Sequence, residues 1–93
     1  MIELKHVDGA NKGKVVLYTL STCIWCKKTK KLLGELKVAY DYVDVDQLQG
    51  KDGDAADAVV QKWNPNASYP TMIINDKVCI PGYNPDAVKK ELG

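Results

Sequence analysis

Two strand-like segments joined by one helix-like segment restrict the fold of this 93-residue chain more than any other feature. The first strand-like segment is VVLY at 15–18, and the second is VAYDYVDV at 38–45, which is rich in β-branched and aromatic residues. Between them, residues 24–36 carry apolar side chains at helical spacing. Because a helical crossover joins parallel strands, this order predicts a β-α-β unit.

The second half of the chain predicts another helix and a hairpin. Residues 52–62 have a helical apolar stripe with acidic residues in the first turn, and the sequence NPN at 64–66 is expected to end that helix. The segments TMII at 71–74 and VCI at 78–80 flank the turn sequence NDK. Such a pair is typical of two antiparallel strands.

A last helix and a short leading strand complete the predicted architecture. Asn84 is a typical N-cap and Pro85 fits the first helical position, so a helix is expected from there to Leu92. The sequence IEL at 2–4 is a candidate for an extra N-terminal strand. We therefore predict an α/β fold with a mixed four-stranded sheet and about three helices, extended by that strand if it forms, in one domain over residues 1–93.

Composition argues against several classes of function. The net charge is +1 and the pI is near 7.6, so no overall electrostatic attraction to nucleic acid or to an anionic membrane is expected. The first residues lack the pattern of a signal peptide, and the longest apolar run is far too short to cross a bilayer. We expect a cytoplasmic monomer.

Three cysteines in a reducing compartment do not suggest a disulfide framework, so they are expected to be reactive or buried.

Cys23 and Cys26 form the motif with the clearest chemistry, where the first buried strand gives way to a helix. Two thiolates are half of a tetrahedral zinc site, and the other candidates, His6 and Cys79, have no standard zinc spacing, so no metal is expected. Amide groups at a helix start favour a thiolate. Helical spacing puts Cys26 inside the apolar face and Cys23 near its solvent edge. We therefore predict that Cys23 attacks a disulfide and Cys26 resolves the mixed disulfide.

Side chains around the motif are candidates for tuning and for substrate binding. Lys27 and Lys30 lie on the same side of the helix as the attacking sulfur and are candidates for stabilising its thiolate, the alternative being an ordinary solvated basic face. Trp25 is either part of the core or an apolar docking surface beside the exposed sulfur. Cys79 fits a small buried residue and His6 a surface residue, so neither is assigned a role.

The chain resembles the glutaredoxin-type members of the thioredoxin superfamily in three segments, which are VVLYTLSTCIWC at 15–26, SYPTMII at 68–74 and IPGYNPD at 80–86. The resemblance implies a thioredoxin-like fold and a dithiol oxidoreductase. In such an enzyme Cys23 is the nucleophile and Cys26 the resolving thiol, and the redox-active disulfide replaces any other cofactor.

The same resemblance implies a substrate site beside the dithiol. Pro70 matches a proline that is cis in the family and faces the dithiol. Tyr69, which precedes it, is expected to offer backbone hydrogen bonds to an extended substrate or to glutathione. Gly82 and Tyr83 precede the last helix and are expected to line the same site.

Departures from the family pattern bear on the electron donor. Leu20 stands where many glutaredoxins have a lysine that holds a glutathione carboxylate, and GYNPD resembles redoxins that are reduced by a protein reductase. We therefore predict an electron carrier that reduces protein disulfides and receives electrons from a protein reductase. Two alternatives stay open: a glutathione-dependent glutaredoxin, and a metal or [2Fe–2S] cluster module that uses Cys23 as a ligand.

Overall fold

A five-stranded mixed sheet forms the centre of the computed structural model, which describes residues 4–66 and 68–93. In this part of the chain no helix has both the length and the apolar character to span a membrane. The strands are β1 (Lys5–Val7), β2 (Val15–Thr19), β3 (Tyr40–Asp44), β4 (Thr71–Ile74) and β5 (Val78–Pro81). The helices are α1 (Ile24–Glu35), α2 (Lys51–Trp63) and α3 (Pro85–Leu92), and a short 3₁₀ helix covers Val45–Gln47.

The strands lie side by side in the order β1-β3-β2-β4-β5. β2 and β3 are parallel, with Leu17 opposite Tyr42, so α1 is the crossover that the β-α-β pattern predicts. β4 is antiparallel to both β2 and β5, which confirms the predicted hairpin. β1 adds an antiparallel edge strand next to β3. The sheet is therefore the predicted mixed sheet in its extended form, with an additional N-terminal strand.

Two predicted boundaries need correction. The leading strand, expected at 2–4, begins at Lys5 because its pairing partners lie at Tyr40–Tyr42 of β3, and residues 2 and 3 lie outside the described part of the chain. The strand expected at 38–45 is shorter at both ends. Val38 forms only an isolated bridge with Ala10, and residue 45 already belongs to the 3₁₀ helix.

Apolar side chains cover both faces of the sheet. Leu17 of β2 packs with α1 and α3 on one face, whereas Val16 and Tyr18 pack with α2 on the other. All five residues of β2 are buried for this reason, which explains its unbroken apolar sequence. The first cluster contains Val15, Leu17, Leu32, Leu33, Val38, Tyr40, Met72, Ile74, Ile80, Val88 and Leu92, and the second contains Val16, Tyr18, Val43, Val45, Ala56, Val60 and Ile73.

Three chain segments meet where β2 ends. α1 starts a few residues after Thr19, the segment before β4 reaches the same end because Thr71 is opposite Tyr18, and the segment after β5 reaches it because Pro81 is opposite Thr71. The cysteine pair therefore lies beside the two loops that the family resemblance implies for substrate binding.

Candidate active site

Cys23 is the N-cap residue of α1. Its Sγ accepts a hydrogen bond from the backbone N–H of Cys26 at 3.2 Å, so sulfur takes the position that a side-chain oxygen usually occupies in a helix cap. The same Sγ lies 3.9 Å from the carbonyl oxygen of Tyr69, within reach of a weak hydrogen bond from the thiol. The Cys23 side chain is only half-buried. An incoming disulfide can therefore reach this sulfur from solvent.

Cys26 is fully buried beneath the cap, at 0% exposure. Burial, followed by the hydrogen bond with the Cys23 side chain, raises the pKa of Cys26 from 9.0 to about 12. The nearby charge of Lys30 acts in the opposite direction but is a smaller effect. Cys26 consequently remains a protonated thiol at neutral pH. The helical spacing of the two cysteines predicted this contrast in exposure.

The segment before β4 lies against the cysteine pair. The Tyr69–Pro70 peptide bond is cis, as the resemblance implies, and Pro70 is fully buried. The Pro70 carbonyl accepts a 2.7 Å hydrogen bond from the backbone N–H of Gly82. Gly82 has φ of +71°, a left-handed conformation that favours glycine, and a Cβ at this position would meet open space. The two predicted substrate loops are thus joined to each other directly.

An apolar surface borders the exposed sulfur. Trp25 is 53% exposed and Ile24 67% exposed on the first turn of α1, and Tyr83 is 37% exposed on the loop before α3. The rings of Trp25 and Tyr83 stack with centroids 5.6 Å apart and an interplanar angle of 28°. Of the two interpretations of Trp25 from the sequence, the surface position is the one observed.

The two lysine candidates have different surroundings. Lys27 is exposed, and its side chain makes no hydrogen bond or ion pair with any residue in 4–66 or 68–93. Lys30 is partly buried, and its Nζ lies 3.3 Å from Asp44 Oδ1 and 4.0 Å from the centre of the Tyr42 ring. Lys30 is therefore held by a carboxylate and an aromatic ring, whereas Lys27 is available to the site or to a partner.

A buried polar network under the Tyr69–Pro70 segment was missed from the sequence. Asn64, just past the end of α2, donates from Nδ2 to Ser68 Oγ at 2.9 Å and to Thr71 Oγ1 at 3.2 Å. The Thr71 hydroxyl in turn donates to the Ser68 carbonyl at 2.7 Å. Because buried polar groups need partners, these bonds fix the chain on both sides of the cis peptide. The sequence signal, NPN, indicated only the end of a helix.

Two carboxylates hold further parts of the site, and sequence reasoning assigned neither of them. Asp46 accepts hydrogen bonds from the Ser21 backbone N–H at 2.9 Å and from the Ser21 hydroxyl, and the latter chiefly lowers the pKa of Asp46. Asp57 of α2 accepts a 3.0 Å hydrogen bond from the Tyr69 hydroxyl. Burial and this bond raise the pKa of Tyr69 well above its usual value. Each contact joins residues far apart in sequence, which leaves no local pattern to detect.

The remaining histidine and cysteine lie elsewhere. His6 on β1 is exposed and contacts Asp41 at 2.7 Å and Asp8 at 3.1 Å, and the Asp41 hydrogen bond raises the pKa of His6. Cys79 is half-buried on β5, where burial raises its pKa. Within the described ranges, no three His, Cys, Asp or Glu side chains are grouped closely enough to bind a metal ion.

A half-buried thiol that solvent can reach and a buried thiol beside it can carry two electrons between a dithiol and a disulfide. With the sheet and helices around them, Cys23 and Cys26 define a thioredoxin-like thiol–disulfide oxidoreductase. The glutaredoxin family model matches residues 15–79. The chain belongs to the glutaredoxin family.

Solved structures agree with this assignment. A glutaredoxin from Methanosarcina mazei Go1 is 50% identical with a TM-score of 0.91, and the match covers 97% of this chain and 87% of that one. Methanosarcina acetivorans methanoredoxin is 46% identical with a TM-score of 0.88, covering 91% and 90%. A buckwheat glutaredoxin in complex with glutathione is 30% identical with a TM-score of 0.65, covering 86% and 68%. No curated protein matches the chain with statistical significance.

Proposed function

We propose that this glutaredoxin reduces disulfides in other proteins and is itself reduced by a protein reductase. The observation that carries the proposal is the contrast between the two thiols. Cys23 is half-exposed beside an apolar surface, whereas Cys26 is buried and its pKa is raised to about 12. The sulfur of Cys23 can therefore contact a substrate, while Cys26 stays protonated until Cys23 has reacted.

The reaction begins when the thiolate of Cys23 attacks one sulfur of the target disulfide. A bond forms between these two sulfurs, the target S–S bond breaks, and the second target sulfur leaves as a thiolate. Cys26 then gives up its proton to solvent or to the thiolate that has already left, and its sulfur attacks the sulfur of Cys23. The bond between Cys23 and the target breaks, and the first target sulfur leaves as a thiolate. The products are a Cys23–Cys26 disulfide and a reduced target, so two electrons have moved to the target.

A protein substrate suits the surroundings of Cys23 better than a small molecule alone. Trp25 and Tyr83 form a stacked aromatic surface beside the sulfur, and exposed aromatic residues are frequent anchors in protein interfaces. The Tyr69 backbone N–H makes no hydrogen bond with the described residues, so an extended peptide can use it. We therefore assign Trp25, Tyr69, Pro70, Gly82 and Tyr83 to the substrate site.

The proposed donor follows from the charges that a glutathione site needs. Glutathione carries two carboxylates, and burying a carboxylate without a cation or donor is costly. Leu20 is half-buried against the second apolar cluster, which packs on α2, at the position where many glutaredoxins have a lysine. Lys30 is held by Asp44, and Lys14 is held by Asp76 at the other end of β2. Since a charge-assisted hydrogen bond contributes about 1.5–3 kcal/mol, losing one weakens binding about tenfold or more.

The test compares electron donors. The oxidised protein is reduced either by glutathione or by a thioredoxin-reductase-type enzyme, in the wild type and in Leu20→Lys. We expect faster turnover with the reductase in the wild type, and about a tenfold gain with glutathione in Leu20→Lys. Leu48→Lys is the matched control, because Leu48 is another half-buried leucine of the same cluster.

Two results would favour the alternatives. Fast, saturable reduction of the wild type by glutathione, with no gain in Leu20→Lys, would identify a glutathione-dependent glutaredoxin. Iron and acid-labile sulfide in protein purified without air would favour a cluster bound through Cys23.

A further inference from the structure

A shallow groove of about 240 Å³ runs along α1, away from the cysteine pair. It is lined by Lys28, Lys31, Leu32 and Glu35 on the helix and by Tyr83 on the loop before α3. The four helical residues follow i, i+3, i+4 and i+7 spacing, so they form one stripe. Three residues before Lys28, the same stripe begins with the exposed Trp25. The groove is therefore continuous with the aromatic surface beside the dithiol.

The helix that forms one wall of the groove is strongly basic. α1 contains four lysines and one glutamate, which is a net charge of +3 over Ile24–Glu35. The whole chain has a net charge of +1, so all other residues together carry −2. Positive charge is thus concentrated on the element that presents Cys23.

Most of this positive charge is not neutralised within the protein. Lys27, Lys28 and Lys31 are exposed, and none of them makes an ion pair with a carboxylate in the part of the chain that the structure describes. Lys28 instead places its Nζ 4.5 Å from the centre of the Trp25 ring. The fourth lysine of the helix, Lys30, is the one held by Asp44. Three cations beside the active site therefore remain available to a partner.

We infer that this groove docks an acidic segment of the protein whose disulfide is reduced, an inference that rests on the proposed reduction of protein disulfides. Charge complementarity selects the occupant: carboxylates of the partner pair with Lys28 and Lys31 while an apolar residue covers Trp25 and Tyr83. An acidic segment of a protein, rather than a small anion, fits a surface that extends along nearly three helical turns, from Trp25 to Glu35.

The geometry predicts where the acidic residues lie in the partner. At about 1.5 Å per residue, Lys28 and Lys31 are about 7 and 12 Å along the helix axis from Cys23. An extended peptide rises about 3.3 Å per residue, so the matching carboxylates lie about two to four residues from the reacting cysteine. Acidic residues much farther away would not reach this groove.

Two disulfide peptides of equal length test the inference. One carries Asp or Glu two to four residues from its cysteine, and the other carries Asn or Gln at the same positions. We expect kcat/KM to be about threefold to tenfold higher for the acidic peptide, since exposed ion pairs are individually weak. The preference should disappear at an ionic strength near 1 M, where the screening length is about 3 Å.

Charge-reversal variants locate the effect. In Lys28→Glu/Lys31→Glu the preference for the acidic peptide should vanish or reverse, and Lys28→Gln/Lys31→Gln should show the same trend with a smaller change of charge. Lys12→Glu/Lys77→Glu is the matched control. It changes the net charge equally, and both lysines are exposed at the end of β2 opposite the dithiol.

The outcomes separate this inference from the proposed function. Equal reduction of both peptides, a preference that survives reversal of Lys28 and Lys31, or an effect of that reversal on glutathione turnover alone overturns the docking surface and leaves protein-disulfide reduction intact. Failure to reduce either peptide overturns both. A preference that is lost in the α1 variants and kept in the Lys12/Lys77 variant supports the inference.

Discussion

The backbone N–H of Gly82 donates a 2.7 Å hydrogen bond to the carbonyl of Pro70, and this bond joins the two loops that flank Cys23. One loop carries the cis peptide, and the other carries the Tyr83 ring that stacks on Trp25. Gly82 can make the bond because its φ of +71° is accessible to glycine at little cost. This bond thus extends the pairing of β4 with β5 by one step, from Thr71 and Pro81 into the two substrate loops.

Gly82→Ala is expected to lower the free energy of unfolding by about 1–2 kcal/mol, because a Cβ is unfavourable in the left-handed region even where the space around it is open. The same strain should displace the loop and raise KM for a disulfide peptide more than it lowers kcat. Urea unfolding and steady-state kinetics measure the two effects.

Two other glycines provide controls for this substitution. Gly34→Ala within α1 should stabilise the protein by about 0.5–1 kcal/mol, since its Cβ also meets open space and alanine favours a helix. Gly50→Ala introduces left-handed strain outside the two loops, at φ of +56°. If Gly50→Ala raised KM as much as Gly82→Ala, the contact with Pro70 would not be the cause.

The roles proposed for the two cysteines predict opposite trapping behaviour. Cys26→Ser should accumulate a mixed disulfide on Cys23, because the attacking sulfur remains and the resolving thiol is absent. Cys23→Ser should accumulate almost none, since Cys26 is buried and protonated. Mass spectrometry after incubation with a disulfide peptide distinguishes the variants, and adducts on Cys26 would reverse the assignment.

The raised pKa of Cys26 predicts how the stability of the reduced protein depends on pH. The unfolded chain loses this proton near pH 9, whereas the folded protein keeps it until about pH 12. The folded state therefore binds more protons between these values, and the free energy of unfolding should fall as the pH rises through that window.

Cys26→Ala isolates this contribution from that of the other ionisable groups of the protein. Urea unfolding of the reduced proteins should show that the wild type loses more stability than Cys26→Ala between pH 9 and 12. Parallel curves for the two proteins would mean that burial does not hold the proton on Cys26.

Asn64→Ala is expected to destabilise the protein by about 1–3 kcal/mol, because it removes the hydrogen bonds from Nδ2 and leaves the buried Thr71 hydroxyl without its Asn64 donor. Since these bonds fix the segment that leads to Tyr69, KM for a disulfide peptide should also rise. Asn66→Ala is the control, as Asn66 is exposed in the same loop. If the Asn64→Ala variant folds and its KM is unchanged, Asn64 contributes to stability only and does not position the substrate segment.

Features that depend on neighbouring residues could be predicted from the order of amino acids. The alternation of strands and helices follows from the spacing of apolar side chains, and the N-cap at Asn84 follows from local chemistry. The unequal exposure of Cys23 and Cys26 follows from their separation of three residues. At helical geometry this separation rotates the two side chains to different sides of α1.

Features that depend on residues distant in sequence became apparent only in the folded protein. Lys30 could be predicted to face the site, but its ion pair with Asp44 forms only when α1 and β3 pack together. The position of β1 depends on its register with β3, and the Trp25 ring stacks on Tyr83, which is 58 residues away. Contacts of this kind form only when folding brings separate elements together, because packing and hydrogen-bond geometry across the sheet carry no periodic signal along the chain.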